Sequence, residues 1–387
     1  MVLTNLPQQT IDFQPYLESR VRYERRSDVD FSSATSDARS DVYARIRLGA
    51  RFNAPGGISG EAQYQFADDR YWKPSGDANP HNSDLRFAFL RYKDATGALT
   101  VGRQPIIVGD QRLIGTLEWV NTARSFDGID WKSKTMEFFG ARIGTASPYP
   151  ANARIFGAIL SHGSQYVALL QKHDEIAAGN VDVTTLNYNG KWRRGPLSLE
   201  TEGAVQTGSV ASKRLSAYAL HARATQAFQP KISTFLEANL ATGGGGPNST
   251  RTFDNLYPTN HPFYGTMDLQ GWRNMQELAI GADFKPCQNV TGKASYHRLW
   301  LFDAADAWYA ANGVANARPG GTYVDPTGGS GKDVGQEWDV EASYTYQKTL
   351  VFSAGLGYFQ PGSFVRNVLK GSAANQTWVF LQTQYRF

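Results

Sequence analysis

A single cysteine, Cys287, stands in 387 residues. That excludes a disulfide framework, a cysteine zinc site and an iron–sulfur cluster. Long apolar runs are missing as well. The stretches 156–160 and 166–170 are the best present, far below the roughly 18 residues a membrane-crossing helix needs. Charge of one sign is scarce: the net charge is +4 and no stretch is a run of Lys and Arg, so nucleic acid is not an expected partner. Segment 1–10 lacks both the basic and the apolar part of a signal peptide. What is abundant is aromatic and small. Aromatic content is 13% with 38 glycines, a balance that favours strands and turns over helices and is too apolar for disorder.

The repeating feature is alternation at period two. Trp338, Val340, Ala342, Tyr344 and Tyr346 alternate with Glu337, Asp339, Glu341, Ser343 and Thr345. Val42, Ala44, Ile46, Leu48, Ala50 and Phe52 alternate with Tyr43, Arg45, Arg47, Gly49 and Arg51. Successive strand side chains point to opposite faces, so each segment has one apolar and one polar face. Eighteen such segments can be placed, from 11–25 and 39–53 to 349–360 and 375–387. Even-numbered segments end in tight turns such as 53–56, 94–97 and 286–288, and odd-numbered ones generally in longer links such as 26–38, 104–126, 242–273 and 303–334. Short turns at one end, long loops at the other and an even strand number describe an all-β, antiparallel transmembrane barrel of the bacterial outer membrane. Closure leaves no unpaired backbone edge in lipid. A soluble propeller or sandwich would not sort its connections this way. The expectation is one barrel over 11–387 after a short periplasmic segment 1–10, in a mature chain behind Met1, surrounded by outer-membrane lipid and lipopolysaccharide and monomeric.

With the apolar parity toward lipid, the other parity lines the lumen. It offers Glu18, Arg20, Arg22 and Glu24, then Arg45, Arg47 and Arg51, with Arg142 joining them. Later strands supply Glu200, Glu202, Glu237, Glu277, Asp283, Glu337, Asp339 and Glu341, relieved by His221, Arg223, Lys293 and Arg386. Basic groups on early strands facing acidic ones on later strands set up a transverse field that discriminates ions. Arginine keeps its charge and grips carboxylates in a planar fork, so the implied solute is anionic or polyhydroxylated. The link 104–126 is too long for a turn and too apolar for a floppy loop. Arg103, Asp110, Arg112, Glu118, Arg124 and Asp127 punctuate or flank Ile106, Ile107, Val108, Leu113, Ile114 and Trp119. Such a segment is expected to fold inward as a constriction, the alternative being an ordinary extracellular loop packed on its neighbours.

The pieces Gly102-Arg103-Gln104, Gly109-Asp110-Gln111-Arg112-Leu113-Ile114-Gly115, Arg124-Ser125-Phe126-Asp127-Gly128 and Tyr257-Pro258-Thr259-Asn260 resemble the signatures of the alginate-export family of outer-membrane proteins. The resemblance implies an arginine-rich, anion-selective pore, with Arg103 in its wall. It implies for Arg112, Arg124 and Asp127 either a pore role or anchorage of the inward loop. The chain is short for a polymer exporter and its turns are too short for a gating plug, which favours an anion-passing porin over alginate secretion as such.

Other chemistry has little support. Six histidines are scattered without an H-E-x-x-H pair, and there is no G-x-S-x-G elbow or P-loop. A lipid hydrolase would need Ser295 and His297 on the outer wall, whereas their parity points inward. Asp303, Asp306 and Asp325 are the acids from which an extracellular-loop Ca²⁺ site would be built, without EF-hand spacing; no other cofactor is expected. Trp72, Tyr257, Phe263, Tyr264, Trp272, Trp308 and Tyr309 sit in or beside long loops, where the expected role is membrane-interface girdle or loop packing, with stacking on sugar rings the alternative. The reading that emerges is a passive porin for anionic or carbohydrate solutes, uronates included. A closed barrel serving as receptor, adhesin or partner dock is the alternative, and an outer-membrane lipid hydrolase a distant third.

Overall fold

The structure is a computed structural model that describes residues 10–68, 82–144, 152–176 and 179–387. Segment 1–9 and Trp72 lie outside those residues. Eighteen antiparallel strands form the wall among the described residues. The first nine are β1 (Asp12–Arg26), β2 (Arg39–Ala54), β3 (Ile58–Asp68), β4 (Asn82–Lys93), β5 (Ala98–Gln104), β6 (Phe126–Lys132), β7 (Met136–Ile143), β8 (Arg154–His162) and β9 (Gln165–Asp174). The rest are β10 (Val181–Arg194), β11 (Leu197–Val210), β12 (Lys213–Gln229), β13 (Ile232–Ala241), β14 (Met275–Cys287), β15 (Val290–Trp300), β16 (Asp333–Tyr346), β17 (Leu350–Pro361) and β18 (Gln376–Arg386). Each pairs with its sequence neighbour, and β1 closes on β18 with Glu18 opposite Arg386 and Arg26 opposite Trp378. The Leu17 and Phe387 backbones exchange hydrogen bonds at the seam (3.1 and 2.9 Å). No strand edge is left open along that seam, which is what a hydrocarbon environment demands of a backbone.

Burial is inside-out relative to a water-soluble protein. On β2, Ile46 and Leu48 are 46% and 47% exposed, while Arg45 and Arg47 are each 3% exposed. The same inversion runs round the wall: Leu169, Leu186, Val205, Leu220, Leu236, Leu278 and Val340 all point outward. An outer band of exposed aliphatic side chains is stable only against lipid. Tyr92, Trp192, Tyr344, Tyr346 and Tyr385 are exposed toward the short-turn end and form an aromatic belt there. The loop aromatics do something else. Tyr257, Tyr264, Trp272 and Trp308 are fully buried, so they pack loops and are not girdle residues.

One long-end connection is short. Only Ala211 and Ser212 separate β11 from β12, both with positive φ (45° and 72°), the twist a two-residue hairpin requires. Two other long-end segments turn into the barrel. Residues 105–125 and 242–274 pair through a parallel bridge between Ile114 and Tyr257 and through Tyr257 N–H to Leu113 O and Thr259 N–H to Gln111 O, both 2.8 Å. Their apolar side chains need an apolar partner. They find it on the inner wall, where Phe126, Phe139, Ile143, Ile155 and Leu170 form one buried cluster with Ile106, Val108, Leu113, Ile114 and Tyr257. A second cluster, Phe31, Trp308, Tyr323, Phe359, Phe364 and Trp378, ties the outer loops and the short helix α1 (Ser363–Val368) together.

Candidate pore site

The 105–125 segment crosses the lumen. At one end the inward-facing arginines of β1 and β2 hold its backbone. Arg20 donates to Glu118 O (2.9 Å) and Val120 O (3.2 Å), Arg22 to Trp119 O (2.7 Å), and Arg45 to Glu118 O (3.3 Å). Trp119 lies between the Arg22 guanidinium, 3.8 Å from its ring centroid, and the His261 ring, stacked at 3.7 Å. At the other end Arg112 reaches the β12–β13 wall. It sits 3.3 Å from Glu237, 3.1 Å from His221 and 3.8 Å from Glu202, with its guanidinium over Phe263. Arg124 clamps the two inward segments by donating to the carbonyls of Gly115 (2.9 Å), Tyr257 and Pro258 (3.1 Å).

Four guanidinium groups converge on the near wall. Arg20, Arg45, Arg47 and Arg86 line one cavity of about 930 Å³ with Tyr16, Glu18, Arg51, Glu61, Glu118 and Arg386. Glu18 holds Arg45 (2.7 Å) and Arg47 (3.2 Å), and Glu118 holds Arg47 (2.8 Å) and Arg86. Arg51 faces the lumen nearer the short-turn end, paired with Glu61 (3.1 Å) and stacked on Tyr16. On the opposite side Arg223 bridges Glu237 and Asp283, each at 3.2 Å. Glu277 takes Asn239 and His297 at 2.6 Å each, and Glu341 sits opposite Lys293 across β15 and β16. Arginines thus predominate on the early-strand side of the lumen and carboxylates on the late-strand side, each set carrying counter-charges.

Arg86 does not figure among the residues expected from the sequence. Counted back from the exposed Leu90, simple alternation points Arg86 toward lipid. A bulge where β3 meets β4 inserts one extra residue between the pairs Gln63–Phe87 and Tyr64–Leu85. One inserted residue exchanges the two faces; Leu85 turns out and Arg86 turns in, 4% exposed.

Three expected pore residues fall on the other face. Arg103 shares the outward parity of Leu99 and Val101, Asp127 that of Ile129, and Arg142 that of Phe138, all four of which are exposed. Arg103 is paired with Asp127 (2.6 Å) and Asp84 (3.1 Å), and Arg142 with Asp127 (3.7 Å). These strands are only seven or eight residues long, so the cluster sits at their upper rim, where it locks β4, β5, β6 and β7 together. Arg112 and Arg124 are anchors of the inward segment, as described above.

The remaining candidates place simply. Ser295 and His297 (3.0 Å apart) face inward with Glu277 and Asp339, away from lipid acyl chains. Asp303, Asp306 and Asp325 do not gather: Asp306 accepts from Gly244 N–H and Thr252 Oγ1, and Asp325 from Thr327 and Ser330. Among the described residues the carboxylates near enough to share an ion are Asp28, Asp30 and Asp37.

A closed antiparallel barrel with lipid-facing aliphatics, a charged lumen and inward loops is an outer-membrane barrel of the porin class. The family model described as "Alginate export" matches residues 12–147 and 132–380, and the chain belongs to that family. Solved structures of Pseudomonas aeruginosa channels share the fold. OprD matches at a TM-score of 0.65 and 12% identity, over 97% of this chain and 93% of that one. OccK2 (OpdF), solved in complex with glucuronate, gives 0.64 and 12% over 97% and 96%. OpdK, solved with vanillate, gives 0.65 and 13% over 97% and 98%. No individual curated protein matches by sequence.

Proposed function

We propose that this outer-membrane barrel is a passive channel selective for small carboxylate solutes of the monouronate kind, with the constriction at Arg20, Arg45, Arg47 and Arg86. The observation that carries the reading is the convergence of those four guanidinium groups, each no more than 4% exposed, on a lumen cavity of about 930 Å³. A site of that size suits a ligand of one or two sugar rings, within the roughly 300–1,000 Å³ range of small-molecule sites, and not a polymer in transit. Arginine forks recognise planar carboxylates in two parallel hydrogen bonds. Glucuronate and vanillate, found with two structural relatives, are carboxylates, which supports the class. Flux would follow the solute gradient, and selectivity the lumen charge.

The apolar core formed by the two inward segments favours a second reading, a barrel closed in its resting state that docks a partner. Single-channel recording in a planar bilayer under a salt gradient separates the two. Steady anion-selective conductance, reduced by glucuronate, supports the channel; a silent barrel supports the dock.

A further inference from the structure

Glu118 has an unusual place among the pore residues. It is the acidic group that the inward segment itself carries into the arginine cluster. Its Oε2 lies 2.8 Å from Arg47 Nη1 and 3.9 Å from Arg45 Nη2, and its Oε1 accepts from Arg86. The side chains of Arg45, Arg47 and Arg86 are 2%, 3% and 5% exposed, while that of Glu118 is 45% exposed and lines the cavity. Glu118 is therefore the most accessible member of that ion-paired group. The cluster also has donors to spare: Arg20 Nε, Arg45 Nε, Arg47 Nη2 and Arg86 Nε are buried without a hydrogen-bond partner.

The backbone on either side is held in uncommon conformations. Leu117 and Ala123 hold left-handed φ values of 54° and 56°, conformations that residues with a Cβ avoid unless their surroundings impose them. Between them, Arg20, Arg22 and Arg45 grip the carbonyls of 118, 119 and 120, and Leu117 N–H donates to Thr259 Oγ1.

We propose that Glu118 is an internal stand-in for the solute: its carboxylate occupies the anion site of Arg45, Arg47 and Arg86, and a small carboxylate displaces it and loosens the 117–121 stretch, while Arg112 and Arg124 keep the rest of the segment docked. This rests on the channel reading above and assigns a built-in competitor to that same site. The exchange is one carboxylate for another. No bond forms or breaks, and the charge of the cluster is unchanged once Glu118 has left and the solute has entered. An uncharged sugar of the same shape supplies no such replacement and leaves Glu118 in place. An internal occupant lowers apparent affinity by the fraction of time it leaves the site free.

The test uses the full-length protein in detergent and in planar bilayers, with glucuronate as the carboxylate and glucose as the uncharged probe. Retarded or advanced gel mobility of unheated samples checks that each variant is folded. Glu118→Gln should bind glucuronate about tenfold more tightly than the wild type. Glu61→Gln removes the same charge from the same cavity without touching Arg47 or Arg86, and should change affinity less than about threefold. In the wild type, which needs no variant to fold, saturating glucuronate should speed amide hydrogen exchange across 117–121, and glucose should not. Equal gains in the Glu118 and Glu61 variants, or unchanged or slower exchange across 117–121 with glucuronate bound, overturn the displacement while leaving an anion-selective channel intact. A wild type that neither prefers anions nor binds glucuronate removes the channel reading, and this inference with it.

Discussion

Arg112, carried by the segment that crosses the lumen, lies 3.3 Å from Glu237 on the far wall. The two residues are separated by 125 positions in the chain and both are buried. This pair, with the Arg20–Glu118 carbonyl contact at the opposite end, is what stretches a loop across a barrel instead of leaving it above the membrane. A buried guanidinium needs several acceptors at once, and the far wall provides Glu237, Glu202 and His221 together.

Replacing Arg112 by Ala should therefore undock the segment. Removing one partner of a buried ion pair costs about 3–5 kcal/mol, because the other charge stays buried. The expected outcome is rapid proteolytic cleavage within 105–125 in a barrel that remains folded, with larger and noisier conductance. Cleavage no faster than in the wild type would show that Arg112 does not hold the segment.

Selectivity should reside in the near-wall arginines and not in the conspicuous signature arginine. Arg47→Gln combined with Arg86→Gln is expected to lower the anion-to-cation permeability ratio about tenfold, the equivalent of ~1.4 kcal/mol. Arg103→Gln should leave that ratio within about twofold and cost on the order of 1 kcal/mol of stability, since its partners Asp84 and Asp127 are part-exposed. Reversal potentials under a salt gradient decide between them.

The outward face admits a direct check. Leu236, near the middle of β13, is 60% exposed. In lipid, Leu236→Arg should destabilise the barrel by about 2–4 kcal/mol, as an arginine near the bilayer midplane does. Urea unfolding in liposomes reads the difference, and an indifferent variant would argue that this face does not meet hydrocarbon.

The loop between β1 and β2 should respond to pH. Burial, reinforced by Asp37 and Asp30, raises the Asp28 carboxyl from 3.8 to about 6. The protonated form is favoured in the docked loop, so no penalty exists below about pH 3.8. It grows as pH rises and is complete above about 6, where docking is weakest. Hydrogen exchange across 27–38 should accordingly quicken between pH 4 and 6 after correction for intrinsic rates. Asp28→Asn should abolish that trend and protect the loop at pH 7. The same trend in the variant would assign the effect to another group.

The wall was legible because each strand carries its own period-two signature, and the observed ends fall within a few residues of the pattern. Arg20, Arg22, Arg45 and Arg47 were legible for the same reason: their strands run without interruption, so parity alone places them. Arg86 was hidden by a bulge whose presence leaves no mark in composition. Family likeness points Arg103 and Asp127 into the pore and simple alternation points Arg142 there, whereas their strands align them with the outward Val101, Ile129 and Phe138. The inward course of 242–274 had no local signal either, because what draws it in is the apolar inner wall of β6–β9, a property of the assembled barrel. The 105–125 segment was readable since its own apolar content already required burial.

Single-channel recording of the wild-type protein under a tenfold salt gradient, with glucuronate then added, reads ion preference and carboxylate binding in one experiment. An arginine-lined carboxylate channel gives steady conductance, a reversal potential on the anion side, and a current that falls as glucuronate binds. A cation-side reversal potential, or a current that glucuronate does not change, would contradict the channel reading.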